Sequence, residues 1–170
     1  MPPMRNGESA FWQFSLRFYR RAEVPALCLQ LQDECGADVN LLFFISFMAT
    51  VGWRLSADEV RRIDTSVRDW RQRVVQPLRA IRRELKGGIA PVDGEAAEAL
   101  RGAIKRDELQ AERLQQEALE NEFPPGAIGQ AAAPREAAAA NIAAYGAVIG
   151  GLNDEAANAL LAALAAEFSL

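Results

Sequence analysis

The stretch "GADVNLLFFISFMATVGW", Gly36 to Trp53, decides how this chain folds. Asp38 stands where a helix needs an N-cap, because a carboxylate there accepts backbone N–H groups and complements the helix dipole. From about residue 39 to 52 the chain is apolar on nearly every side, so this helix is expected at the centre of the molecule. It is too short to cross a membrane, which takes roughly 20 apolar residues. Gly36 ends the helix before it, and Gly52 is expected to end the central one.

Upstream, Ser9 can cap a helix that runs to about Arg21, with Phe11, Phe14, Leu16, Phe18 and Tyr19 inward and Arg17, Arg20 and Arg21 outward. Pro25 suits a first helical position, and Leu27, Cys28, Leu31 and Cys35 keep one apolar face after it. Downstream, "SADE" from Ser56 to Glu59 is a capping box. Val60, Ile63, Val67, Trp70, Val74, Leu78, Ile81 and Leu85 then recur every three or four residues. Read as one unbroken stripe, this pattern buries Trp70 and Val74 against the 39–52 helix. "DTS" at 64–66 could interrupt the helix, and Pro77 removes one backbone bond and should kink it.

"KGGIAPVDG", 86–94, is a loop, and a charged helix follows over about 95–122 with a narrow seam of Leu100, Ile104, Ala111, Leu114 and Ala118. "PPGAIGQAAAP", 124–134, reads as a linker. The composition then turns alanine-rich, and "GGLN" at 150–153 supplies a helix stop and an Asn153 cap, giving an αα-hairpin of about 135–149 and 154–168. No strand signal of useful length appears. The expected fold is all-α: a helical domain of about five or six helices over 1–123, a linker at 124–134 and an alanine-rich hairpin at 135–170.

Half of the 170 residues are apolar and a quarter charged, as in an ordinary globular protein. The net charge of −4 conceals an asymmetry: residues 54–86 sum to +5 and residues 87–170 to −8. With no histidine in the chain, imidazole metal ligands and the Ser-His-acid and Cys-His nucleophile systems are excluded. Cys28 and Cys35 lie about 10 Å apart along one helix by its rise, too far for a disulfide, which fits reduced thiols in a cytoplasmic protein. The opening "MPPMRNGESAFWQF" lacks the apolar run of a signal peptide, so export is not expected.

"GADVNLLFF" and the pattern W-R-x-x-V-V-x-P-L-R-x-x-R-R-x-L-K from Trp70 to Lys86 resemble a family of small uncharacterised proteobacterial proteins, a domain of unknown function. The similarity extends over most of residues 9–120. It implies a cytosolic all-α bacterial protein and carries over no catalytic residue. The alanine-rich hairpin after Pro134 departs from that pattern.

Asp33, Glu34 and Asp38 could suggest a divalent-metal site, but Gly36 breaks the helix between them and no second acidic motif faces them, so capping and solvation are the expected roles. Cys35 sits near a helix C-terminus, where the dipole does not favour a thiolate. Neither "KGG" nor "YGAVIGG" has the spacing of a phosphate loop. No cofactor and no metal are expected.

The basic residues between 57 and 86 are the better candidates. On a uniform helix with Val60 at zero, the apolar stripe lies at about 280–360°, while Arg61, Arg68, Arg71, Arg79, Arg82, Arg83 and Lys86 fall between about 20° and 140°. Such a stripe can pair with the acidic face of the 95–122 helix, meet phosphates, or dock an acidic partner. The leading reading is a non-enzymatic cytosolic interaction or regulatory protein with an unknown protein partner. The first alternative is nucleic-acid or ribosome association through the arginine stripe. The second is an enzyme or apolar-ligand binder with a pocket near Phe11, Trp12, Phe43, Phe44 and Phe47. Membrane insertion is not expected, and Gly146 and Gly150 on the alanine-rich hairpin leave homo-oligomer contact open.

Overall fold

The computed structural model describes residues 9–170, and the first eight residues of the expected 1–123 domain lie outside the described residues. Among the described residues the fold is all-α apart from one pair of two-residue strands. It divides into two compact units, residues 1–64 with 116–170, and residues 65–115.

In the first unit, α1 (Ala10–Tyr19) and α2 (Val24–Cys35) precede α3 (Val39–Thr50). The expected caps form. Ser9 Oγ accepts from Trp12 N at 3.0 Å, and Asp38 Oδ1 accepts from Asn40 N at 2.9 Å and Leu41 N at 3.3 Å. Gly36 closes α2 at φ 67°, a left-handed conformation that costs glycine nothing. Every residue of α3 from Asn40 to Ala49 is buried. The Phe11 ring packs against Phe44 at 5.1 Å and Phe47 at 5.5 Å between centroids, and Phe14 stacks on Phe168 at 4.7 Å, so these aromatic rings fill one another's space.

After α3 the chain forms β1 (Trp53–Arg54), then α4 (Ala57–Trp70) with its capping box: Ser56 N donates to Glu59 Oε2 at 2.8 Å, and Glu59 N donates to Ser56 Oγ at 3.2 Å. "DTS" does not break this helix. Glu59 has a second task, accepting from Gly129 N at 2.8 Å. Gly129 has φ 83°, and a Cβ there would lie 2.7 Å from the Arg54 carbonyl oxygen. Only glycine lets the 124–133 segment run that close to the chain after α3. It then pairs β2 (Gln130–Ala131) antiparallel with β1. Sequence periodicity cannot show a two-residue strand, which spans one alternation.

The segment ends in α7 (Pro134–Ile149) and α8 (Asp154–Phe168), the latter capped by Asn153, whose Oδ1 accepts from Ala156 N at 3.0 Å. Helix α7 lies along α3, and α8 along α2. Ala137, Ala138, Asn141, Ile142, Tyr145 and Gly146 form the buried face of α7, small enough for close approach to α3. Asn141 is fully buried and bonds at three points: it accepts from Leu55 N at 2.7 Å and donates to Ile45 O at 2.9 Å and Trp53 O at 3.0 Å. The Tyr145 hydroxyl accepts from Asp38 N at 2.7 Å.

In the second unit, α4 runs into a π-helical turn at Arg71–Val75, then α5 (Gln76–Glu84), a loop, and α6 (Gly94–Glu122), which leaves this unit after Gln115. Gln76 N bonds to Arg71 O, the five-residue reach of a π turn. Pro77 explains its place, since proline has no N–H and its ring clashes with the carbonyl four residues back. The helix takes up the proline by widening this turn. One extra residue rotates everything beyond it by about 100° relative to an unbroken helix. The expectation that Val74 is buried is therefore corrected: Val75 takes the buried position and Val74 is half-buried. The expectation for Trp70 is corrected too, but not by the rotation, since it precedes the turn: at the edge of the α4 stripe it is 38% exposed, with Nε1 donating to Ala111 O at 3.0 Å.

Asn141→Ala is expected to lower unfolding free energy by about 3 kcal/mol, because three buried backbone groups lose a partner, and Tyr145→Phe by about 1 kcal/mol. Chemical denaturation checks both. An Asn141→Ala variant as stable as the parent would contradict the bridging role.

Candidate functional site

The candidate stripe is split by the π turn. The rotation swings Arg79 and Arg82 toward α6, where Arg79 Nε donates to Glu108 Oε1 at 3.0 Å and Arg79 Nη2 donates to Glu112 Oε1 at 2.7 Å. Arg82 donates to Glu108 through Nε at short range and through Nη2 at 3.2 Å. The Glu108 side chain is only 7% exposed. It is the polar centre of the hairpin formed by α5 and α6. Burial alone would raise its pKa, but the hydrogen bonds from Arg82 and Arg79 outweigh that and hold the carboxyl below its ordinary range. Arg82 is correspondingly raised, chiefly by its bond to Glu108.

The other five candidates are elsewhere. Arg61 belongs to the first unit and pairs with Asp58 one turn away. Arg68 reaches Thr65 Oγ1 at 3.5 Å, Arg71 is half-buried in the π turn, and Arg83 and Lys86 are exposed. The structure thus gathers Arg79 and Arg82 around carboxylates and leaves Arg83 and Lys86 on the surface.

A feature that sequence reasoning did not single out lies on the same hairpin. Among the described residues of 65–115, the buried apolar side chains are Val67, Val75, Ala97 and Ala111, while Ile81 is 47%, Leu100 54% and Leu114 42% exposed. Counting 100° per residue from Val75 along α5, Leu78, Ile81 and Leu85 fall at about 240–300°. Counted from Ala97 along α6, Leu100, Ile104 and Leu114 fall at about 260–340°. In an antiparallel hairpin equal angles on the two helices lie on the same side. The six therefore lie on one side of the hairpin, flanking the Arg–Glu seam, with exposed Asp107 at about 280° among the residues of α6, and Leu109 lies on the opposite flank. The signal was present in the sequence, as the same residues that were read as core seams.

The acidic residues before α3 have local partners. Asp38 caps α3, and Glu34 accepts from Gln30 and from Asn153 Nδ2 at 3.1 Å. Cys28 and Cys35 are both free thiols. Burial pushes the Cys28 thiol up to about 12, so it stays protonated, and Cys35 Sγ accepts from Asn153 N at 3.3 Å. Among the described residues no helix is long and apolar enough to cross a membrane.

The chain belongs to the family described as "Protein of unknown function (DUF2390)", whose model matches residues 10–119. No curated protein and no solved structure matches it. The matched span runs from α1 into the last turn of α6, and α7 and α8 lie beyond it.

Glu108→Gln is expected to lower stability by about 2 kcal/mol at neutral pH, since it removes the charge that two partly buried guanidiniums share. The folded pKa of Glu108 lies below its unfolded value. Its contribution is therefore complete above the ordinary carboxylate range and is lost as pH falls through that range toward the folded value. Urea unfolding of both proteins between neutral and acid pH should show the difference shrinking as pH falls. A difference that stays constant would contradict the ion-pair assignment.

Proposed function

We propose that this member of the family is a non-enzymatic, cytosolic helical interaction protein that docks another protein surface through the apolar face of the 65–115 hairpin. The observation that carries this reading is the row of exposed Ile81, Leu100 and Leu114 beside a seam whose polar groups are already engaged. Several large apolar side chains exposed on one side of a hairpin mark a contact surface. The free thiols support a reducing compartment.

Nucleic-acid association draws less support, because Arg79 and Arg82 are held by Glu108 and Glu112 and are not available to neutralise phosphates. The test is capture of partners by the tagged full-length chain after nuclease treatment, alongside fluorescence anisotropy with single-stranded RNA and duplex DNA at low salt. Ile81→Glu should abolish a specific protein contact, while Arg83→Gln with Lys86→Gln, away from the apolar side of α5, leaves it intact. Salt-sensitive nucleic-acid binding that is lost in the Arg83/Lys86 variant and kept in Ile81→Glu would favour the phosphate reading and overturn this one.

A further inference from the structure

Resting on the interaction reading above, we propose that the 71–75 turn is a register switch for the apolar side of α5: the π turn presents Leu78, Ile81 and Leu85, and its conversion to an ordinary α turn withdraws them.

The turn and the apolar stripe belong to different registers. Counting 100° per residue from buried Val67 at zero, an unbroken α-helix puts Val74, Leu78, Ile81 and Leu85 at about 340°, 20°, 320° and 0°. The extra residue of the π turn hands each of those places to the next residue, so Val75, Arg79, Arg82 and Lys86 stand there instead. Burial follows the observed register: Val75 is buried, Arg79 and Arg82 are half-buried, and Ile81 is 47% exposed. A slip of one residue exchanges the two sets. Val74, Leu78, Ile81 and Leu85 enter the seam toward α6, and the two guanidiniums leave it.

Opposed contacts hold each register. The π register relieves Pro77, which has no N–H and whose ring would meet the Arg73 carbonyl in a regular helix. It also sets Arg79 and Arg82 on Glu108, with Arg79 reaching Glu112 as well. The α register restores four-residue backbone bonds through the turn and takes Leu78, Ile81 and Leu85 out of water. Glu108 is the lock between them. Its side chain is 7% exposed, and in the α register the carboxylate would face Leu78 and Ile81 with Arg79 and Arg82 turned away. The slip is absorbed locally, because the residue that leaves the turn joins the 86–94 loop. Gly87 at φ 90° and Gly88 at φ 80° give that loop its freedom.

The consequence for docking follows from linkage. A partner seated on Ile81 favours the π register and is favoured by it, since a ligand shifts an equilibrium toward the state it binds better. Loss of the Glu108 contact acts in the opposite direction.

Methyl NMR of the full chain with a soluble gadolinium chelate reads the register, because the chelate broadens exposed isoleucine δ1 methyls. In the wild type Ile81 should broaden about as much as Ile89, which is 50% exposed, while Ile63 at 0% stays sharp. Glu108→Leu removes the lock, and Pro77→Ala removes the ring that opposes an α turn. Each should cut the broadening of Ile81 several-fold and leave Ile89 and Ile63 as they were. A purely structural seam gives the opposite result, with α5 in place and Ile81 still exposed. Should Glu108→Leu lose its fold by circular dichroism, Pro77→Ala decides alone, since Pro77 is exposed and its replacement takes nothing from the packed seam. Broadening of Ile81 to the wild-type extent in every folded variant overturns the proposal. Partner capture separates this from the interaction reading. Protection of Ile81 in variants whose partner capture is unchanged keeps the switch and sinks the docking surface. Exposed Ile81 in both variants, with capture lost on Ile81→Glu, sinks the switch and keeps the surface.

Discussion

The constraint on which the first unit depends is that α3 is apolar all the way round. A helix with a polar face can leave that face in water, but one without must be covered on every side. Phe11, Phe14 and Phe18 of α1 meet the phenylalanines of α3 on one side. Opposite needs apply along α7, where alanines allow the backbones to come close. Each buried phenylalanine contributes on the order of 2–3 kcal/mol, which makes this one helix the largest source of stability in the unit. Close approach also strands backbone groups at the exit of α3. Asn141 answers that need, its one amide serving Leu55 N, Ile45 O and Trp53 O together.

The hairpin of residues 65–115 is built on the reverse principle. Its centre is a carboxylate held by two guanidiniums, and much of its apolar surface lies to one side. A charged seam of this kind contributes less to stability than packed hydrocarbon would, because desolvation offsets most of the Coulomb gain. It does set register, since planar forks on Arg79 and Arg82 match carboxylate oxygens at only one alignment. A hairpin aligned by polar contacts and left apolar on one flank presents a defined surface instead of consuming it. That division of labour is what the functional proposal rests on.

Local chemistry was legible in the sequence. Ser9, Asp38, the Ser56–Glu59 box, Asn153 and Gly36 each act within one turn of their own position, so residue type alone located them. Phase beyond Trp70 was not legible, because a stripe recurring every three or four residues tolerates one inserted residue without losing its pattern. Pro77 was the signal for it, since the bond it removes is accommodated by widening the backbone into a π turn. The consequence reached the candidate site: a single helical wheel put seven basic residues in one sector, and the rotation sent Arg79 and Arg82 to Glu108 while Arg83 and Lys86 stayed outside. The apolar face escaped notice for a related reason. Periodicity identifies a side that avoids water, and it cannot distinguish a side buried within the chain from one kept for a second molecule.

The same limit bears on where the family match ends. It stops at residue 119, yet the bonds that complete the exit of α3 come from Asn141, and the Asp38 N–H at its entry is met by Tyr145. Phe168 likewise stacks on Phe14, and Glu167 holds Arg17 and Arg21. In this chain, then, residues past the matched span satisfy backbone and aromatic groups within it. Small residues make that possible, since an alanine face is featureless as a pattern but fits wherever the opposing surface is smooth. The alanine-rich composition that set this segment apart in the sequence is the property that lets it lie against α3, and Asn141 and Tyr145 are the two side chains that fix where.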